Sequence, residues 1–170
     1  MKSQQKIVIK FLCYGAFILL IIWQISFMNT SLVLRNYFNL ILIFLLLFSL
    51  ANHPYQLLVY TLTSGFILDL FSNYNFGIYL CVYVLTIWLC YYLLKKLFTN
   101  YSTLARLNVI GLGTIFFQLS LIGITYLCYS LNFNDYYQPF YLNQLLLQCL
   151  INLGLAALVL FFTARFTHAQ

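Results

Sequence analysis

Residues 77–94 read GIYLCVYVLTIWLCYYLL, an uncharged stretch that is followed directly by Lys95 and Lys96. A helix needs about 20 mainly apolar residues to cross the hydrocarbon layer of a membrane. Lysines at the end of such a run are typical of the cytoplasmic boundary of a membrane helix. The stretch therefore predicts a transmembrane helix that ends at the lysine pair.

Apolar runs of similar length repeat along the whole chain. Polar or turn-forming stretches separate them, such as residues 52–54, which end in a proline that cannot continue a helix. The predicted spans cover residues 7–28, 37–51, 57–72, 77–94, 107–131 and 140–163. The sequence therefore predicts an all-α polytopic membrane protein, in which residues 1–170 form a single integral membrane domain, a six-transmembrane-helix bundle.

The composition excludes two other classes of protein. Of the 170 residues, 64% are hydrophobic and only 6% are charged, and the mean hydropathy is +0.95. Soluble domains carry about 25% charged residues, so these few charges cannot cover a water-facing surface. Intrinsic disorder needs low hydrophobicity and high charge, which is the opposite composition.

The distribution of positive charge predicts the orientation in the membrane. Lys and Arg concentrate in cytoplasmic loops. With the N-terminus in the cytoplasm, six spans leave only Arg35 on the outer side, and the cytoplasmic side holds Lys2, Lys6, Lys10, Lys95, Lys96, Arg106 and Arg165. Both termini are therefore predicted to be cytoplasmic. The net charge of +6 is explained by anionic lipid, and no nucleic-acid partner is predicted.

Positive residues between the fourth and fifth spans are the candidate cytoplasmic contacts. Lys95, Lys96 and Arg106 flank this connection. Their partner is either anionic membrane lipid or a cytoplasmic filament, and lipid is the simpler interpretation.

Asp69 is the only acidic residue within a predicted span. A charged group in the membrane is costly and usually faces the bundle with a partner. Thr61, Gly65 and Asp69 recur every four residues, so they share one helix face, and Ser72 lies beside it. Small and polar residues on one face allow close helix packing. We favour a structural anchor over a proton or ligand site, or an acid that simply reaches the membrane surface.

A second polar stripe lies in the sixth span. Gln144, Gln148 and Asn152 also recur every four residues, and amides in lipid prefer a partner. They would pair with Asp69 if the third and sixth helices touch, and Gln118 in the fifth span is another candidate. The sequence leaves open whether these faces pack inside the bundle or dock another membrane protein.

The sequence contains no recognisable set of catalytic or metal-binding residues. No two of the five cysteines have the C-x-x-C spacing, and neither histidine has a nearby Ser, Cys or carboxylate in a pattern that suggests catalysis. We therefore predict no enzyme activity, no cofactor and no metal.

Residues 65–77 read GFILDLFSNYNFG, and this stretch resembles the rod shape-determining protein MreD family. That family has a G-x-x-x-D-L-x-S-like end to its third helix, a short turn, and a Leu-Gly or similar pair before the fourth. The matching positions are Gly65, Asp69, Leu70, Ser72 and Gly77. Phe76 stands where Leu is usual, and Asn73 stands where many members have Gly. The resemblance extends to the chain length, the six predicted spans and the proline before the third span.

The resemblance implies a non-enzymatic scaffold in the bacterial cytoplasmic (inner) membrane. Its implied role is in the cell-elongation (rod) complex, which supports cell shape and peptidoglycan synthesis. The implied partners are an MreC-like single-span protein, MreB, RodA and a penicillin-binding protein, docked through helix faces. Gly77 would open the fourth helix.

Two alternatives belong to other functional classes. Substrate-binding membrane subunits (S components) of energy-coupling-factor vitamin transporters are also small six-helix bundles. Such a subunit needs a polar and aromatic pocket on the outer side, for which Asp69, Tyr74, Asn75 and Gln144 are candidates. An intramembrane enzyme is disfavoured, since no catalytic set is present.

Overall fold

The computed structural model describes residues 13–26, 39–50, 54–72, 74–97, 103–133 and 141–167. These residues form six helices. In chain order the helices are α1 (Cys13–Ser26), α2 (Leu40–Ser49), α3 (Pro54–Phe71), α4 (Ile78–Leu97), α5 (Thr103–Ser130) and α6 (Leu142–Thr167). The predicted all-helical fold is therefore confirmed for the described part of the chain.

Three of the described helices are long and apolar enough to cross a membrane. These segments are Ile78–Lys96, Leu104–Ser130 and Leu142–Phe161, whereas α1 and α2 are apolar but shorter. The third helix has 18 residues, but Pro54, Gln56 and Asp69 lower its hydropathy. The count of six spans and the cytoplasmic location of both termini stay predictions.

The helix ends differ from the predicted boundaries at two informative places. Pro54 was predicted to lie in a turn before the third span, but it is the first residue of α3. A proline is well tolerated there, because the first N–H groups of a helix have no partner within the helix. The fourth helix continues through Lys95 and Lys96 to Leu97. Both lysines therefore extend from the last helical turn rather than from a loop.

The short helix α2 lies at the centre of the bundle. It contacts α3, α4, α5 and α6, and Phe17 of α1 stacks on Phe44 of α2 with 4.8 Å between the ring centroids. The side chains of Ile41, Leu42 and Leu45 are completely buried. Since almost every side of α2 meets protein, this helix supplies the core around which the others are arranged.

The bundle has polar groups inside and large apolar groups outside. Buried hydroxyl side chains such as Thr86 and Thr125 donate hydrogen bonds to carbonyl groups of their own helices, at 2.8 Å in both cases. Trp88 and Leu150 are each 67% exposed. An apolar exterior would be costly in water but suits a lipid solvent, in which polar groups must find partners within the protein. This arrangement fits a membrane protein.

Candidate functional site

The Asp69 carboxyl group caps the N-terminus of α4. One oxygen, Oδ1, accepts a hydrogen bond from the backbone N–H of Tyr79 at 2.8 Å, and Oδ2 accepts one from Leu80 N–H at 3.1 Å. These N–H groups belong to the first turn of α4 and have no partner within that helix. The partially positive end of a helix also favours an acidic group. Asp69 therefore links α3 to α4 within one chain.

The residue directly before α4 has no side chain that could cap this helix, so a side chain of α3 caps it instead. Gly77, the residue before α4, has a φ of +100°, a conformation that glycine adopts readily and most other residues do not. Its carbonyl accepts the first hydrogen bond of the helix, from Cys81 N–H at 2.9 Å. A helix is usually capped by a Ser, Thr, Asp or Asn side chain at this position. Glycine has none, so Asp69 of α3 provides the oxygens instead.

Gly65 lets the two helices approach each other at the level of Leu80. A Cβ atom built on Gly65 would lie 2.6 Å from the backbone Cα of Leu80, a distance that real Cβ atoms do not show. The glycine lies one helical turn before Asp69 on the same face. Close approach at Gly65 and the hydrogen bonds of Asp69 therefore hold the same part of α4.

Two other residues of the predicted α3 face bond to their own segment. The buried Thr61 hydroxyl donates to the Leu57 carbonyl at 2.7 Å. The Ser72 hydroxyl donates to the Asp69 carbonyl at 3.2 Å and is 3.5 Å from the Tyr74 carbonyl. Thr61 thus needs no further partner, and Ser72 helps to shape the turn. We call Gly65, Asp69, Ser72 and Gly77 the hairpin clasp.

The polar stripe of α6 meets α5. Gln118 of α5 donates a side-chain hydrogen bond to the buried Gln148. One turn further along α6, Asn152 Nδ2 donates to Thr114 Oγ1 at 3.4 Å, and Asn152 Oδ1 has no partner among the described residues. Gln144 is half-buried near the start of α6. We call Thr114, Gln118, Gln148 and Asn152 the amide stripe.

Asp69 and the amide stripe are not brought together. Among the described helices, α3 contacts α1, α2 and α4 but not α6. Both carboxyl oxygens of Asp69 accept hydrogen bonds from α4, and the side-chain amides of Gln148 and Asn152 bond to α5. The hypothesised pairing between the third and sixth helices is therefore not made.

A third polar centre was not identified from the sequence. Asn39 Oδ1 accepts hydrogen bonds from Leu42 N–H at 3.0 Å, from Tyr83 Oη at 2.8 Å and from Gln24 Nε2 at 3.3 Å. Gln24 Oε1 in turn accepts the Ile41 N–H at 2.9 Å. This buried centre joins α1, α2 and α4. The available signal was an Asn directly before an apolar run, which is a typical helix N-cap.

The predicted cytoplasmic contacts all lie at one end of the bundle, where α4 ends and α5 begins. Lys95 and Lys96 are exposed, and each ammonium group lies over a tyrosine ring of α4, at 4.7 Å from Tyr91 and 5.1 Å from Tyr92. Arg106 is half-buried, and its Nε has no partner within the described residues. The two lysines are thus held outward by aromatic rings at the end of α4.

Two of the four residues considered for an outer vitamin pocket have partners within the chain. Asp69 accepts hydrogen bonds from α4, and the Asn75 side-chain amide donates to the Phe133 carbonyl just after α5. Asn132, just before Phe133, has a φ of +58°. The Asn75 contact ties the α3–α4 turn to the end of α5.

The hydrogen bonds of the site hold the helices of the bundle together. Its described side chains donate or accept hydrogen bonds within the chain, and the described residues contain no group of three or more His, Cys, Asp or Glu that could hold a metal. The amino-acid sequence matches no protein-family model, no curated protein and no solved structure. Inference about function therefore depends on the residues themselves.

Proposed function

We propose that this chain is a non-enzymatic scaffold of the bacterial cell-elongation complex, similar to proteins of the MreD family. The supporting observation is the hairpin clasp. The positions through which the sequence resembles that family include Gly65, Asp69, Ser72 and Gly77, and each has a distinct structural task at the α3–α4 turn. A motif whose residues act together in one structure is better support than a chance match of letters.

The way polar groups are used also favours a scaffold. Asp69, Gln118 and Gln148 each bond to another helix of the same chain. Such contacts stabilise one arrangement of helices and leave an apolar exterior. A rigid bundle with an apolar exterior offers surfaces to the membrane helices of partners, through close packing of side chains.

The proposed topology has six spans with both termini in the cytoplasm of a bacterium. It would place Lys95, Lys96 and Arg106 at the inner surface of the cytoplasmic membrane. A reporter protein fused after Gln170 should then be active only in the cytoplasm. A periplasmic signal would contradict the six-span topology.

A complementation experiment tests the function. The chain is expressed in a rod-shaped bacterium that is depleted of its own MreD protein and keeps its own MreC-like protein. We expect rod shape to return and the MreC-like protein to co-purify with the chain from solubilised membranes. Asp69→Ala should weaken both results, and Asp135→Ala should leave them unchanged.

A thermal-shift screen with vitamins separates the proposal from the transporter alternative. A scaffold should show no saturable stabilisation by any vitamin. Saturable stabilisation by one compound, without rescue of cell shape, would refute the scaffold and favour a substrate-binding subunit.

A further inference from the structure

An apolar groove runs between α3 and α4 on the exposed surface of the bundle. It has a volume of about 250 Å³ and extends from Pro54 to Leu62 on α3 and from Val84 to Tyr91 on α4. The eight-residue separation on α3 corresponds to roughly 12 Å along the helix axis. The hydrocarbon layer is about 30 Å thick, so the groove is shorter than one leaflet. Tyr91 at one end of the groove lies one helical turn before Lys95, so the groove reaches into the leaflet next to that lysine.

The lining of the groove is mostly apolar. Aliphatic and aromatic side chains form most of it, including Leu58, Ile87 and Trp88. The exception is Thr61, but its hydroxyl already donates to the Leu57 carbonyl at 2.7 Å. The groove therefore suits a hydrocarbon and not a polar metabolite.

The size of the groove favours a single chain over a helix. An α-helix with side chains is about 10–12 Å across, so it cannot enter a groove of about 250 Å³ as a whole and could insert only side chains from one face. An acyl chain has no side chains and is narrow enough to lie along the groove.

Positive charge is fixed at the end of the groove. Tyr91 lines the groove, and the Lys95 ammonium lies 4.7 Å from its ring centroid. Trp88 also lines it and stacks on Tyr92, to whose hydroxyl Lys96 Nζ donates a hydrogen bond at 2.6 Å. Both lysines are thus attached to the groove through aromatic rings. This positive charge is complementary to the phosphate of an anionic lipid rather than to an uncharged hydrocarbon.

We infer that this groove is a binding site for an anionic phospholipid. One acyl chain lies between α3 and α4, and the phosphate group contacts Lys95, with Lys96 beside it. The inference is independent of the proposed scaffold function, since it depends only on the shape and charge of this surface.

Tryptophan fluorescence tests the site directly, because the chain has two tryptophans and only Trp88 lines the groove. The full chain with Trp23→Phe is placed in phosphatidylcholine vesicles that contain a minority of brominated lipid, which quenches nearby tryptophan. We expect brominated phosphatidylglycerol to be enriched about 5-fold at Trp88 over brominated phosphatidylcholine, the effect of about one lysine contact. The matched variant Trp88→Phe, which keeps Trp23 on α1, should show equal quenching by both lipids.

The lysines provide the second arm of the experiment. Lys95→Gln with Lys96→Gln should abolish the preference at Trp88 while quenching by brominated phosphatidylcholine persists. Equal quenching by the two lipids in the unmodified lysine background would overturn the inference. Protection of Trp88 from both lipids, with Trp23 still quenched, would also overturn it and indicate that protein covers the groove.

Discussion

The contact between α3 and α4 and the contact between α5 and α6 use polar residues in different ways. One side of each contact was recognised in the sequence, as polar or small residues that recur every four positions in α3 and in α6. At the α3–α4 contact, Asp69 bonds to backbone N–H groups that have no alternative partner in their own helix. At the α5–α6 contact, Gln118 bonds to Gln148, and Asn152 bonds to Thr114, so the hydrogen bonds between these helices join one side chain to another.

This difference predicts unequal contributions to stability. A buried backbone N–H without a partner costs about 1–3 kcal/mol, and more in a lipid environment. A side-chain pair between membrane helices is worth about 0.6 kcal/mol on average. Equal spacing in the sequence therefore does not imply equal energy, because the effect depends on what would be left unpaired.

Replacing Asp69 should have the largest effect. In Asp69→Ala both N–H groups of Tyr79 and Leu80 lose their acceptor, and we expect a loss of about 2–4 kcal/mol in the free energy of unfolding. Asp69→Asn keeps one oxygen and should lose about half as much. Unfolding by denaturant in detergent micelles measures both.

Asp135→Ala is the control for that measurement, because it removes the other acid of the chain. If the two alanine variants unfold at the same denaturant concentration, Asp69 has no special role at the α3–α4 contact.

Gly65→Ala should have the next largest effect. Its Cβ would lie 2.6 Å from Leu80 Cα, so the helices must separate, at a cost of about 1–3 kcal/mol. Gly123→Ala in α5 is the matched control, since a Cβ there meets nothing within 4 Å, and it should be neutral or slightly stabilising. The two variants are compared by thermal unfolding. A Gly65→Ala protein as stable as Gly123→Ala would show that the close approach is not required.

The pair Gln118 and Gln148 should show a smaller effect. Methionine has a similar length and no amide, so a double-mutant cycle with Gln118→Met and Gln148→Met isolates the hydrogen bond. We expect a coupling energy of about 0.6 kcal/mol. A coupling as large as the loss in Asp69→Ala would remove the distinction between the two contacts.

Asn152→Ala should have the smallest effect, although Asn152 is completely buried. Its hydrogen bond to Thr114 is long, at 3.4 Å, and its Oδ1 has no partner among the described residues. Loss of packing and removal of an unsatisfied oxygen oppose each other, so we expect a change below about 0.5 kcal/mol in the same unfolding assay. A larger loss would reveal a partner for that oxygen.

The sequence predicted which face of α3 and which face of α6 carry polar residues, because a period of 3.6 residues determines those faces. It could not predict which helix lies opposite. Asp69 and Gln148 were therefore both recognised, but their partners were not. The centre at Asn39 was missed for the same reason, since Tyr83 is 44 positions away in the chain. Pro54 was misplaced because proline can end one segment or begin the next, and the local sequence does not distinguish these roles.

The hairpin clasp also bears on how the protein enters its membrane. In the proposed six-span topology, α3 on its own would carry an acid into the bilayer, and α4 on its own would enter with two unpaired amide N–H groups at its N-terminal end. The Asp69 carboxyl group pairs with the N–H groups of α4, so each helix lowers the energetic cost of inserting the other. Only a short turn separates the two helices. Insertion of the two as a single unit by the translocation machinery is therefore easier than insertion one after the other.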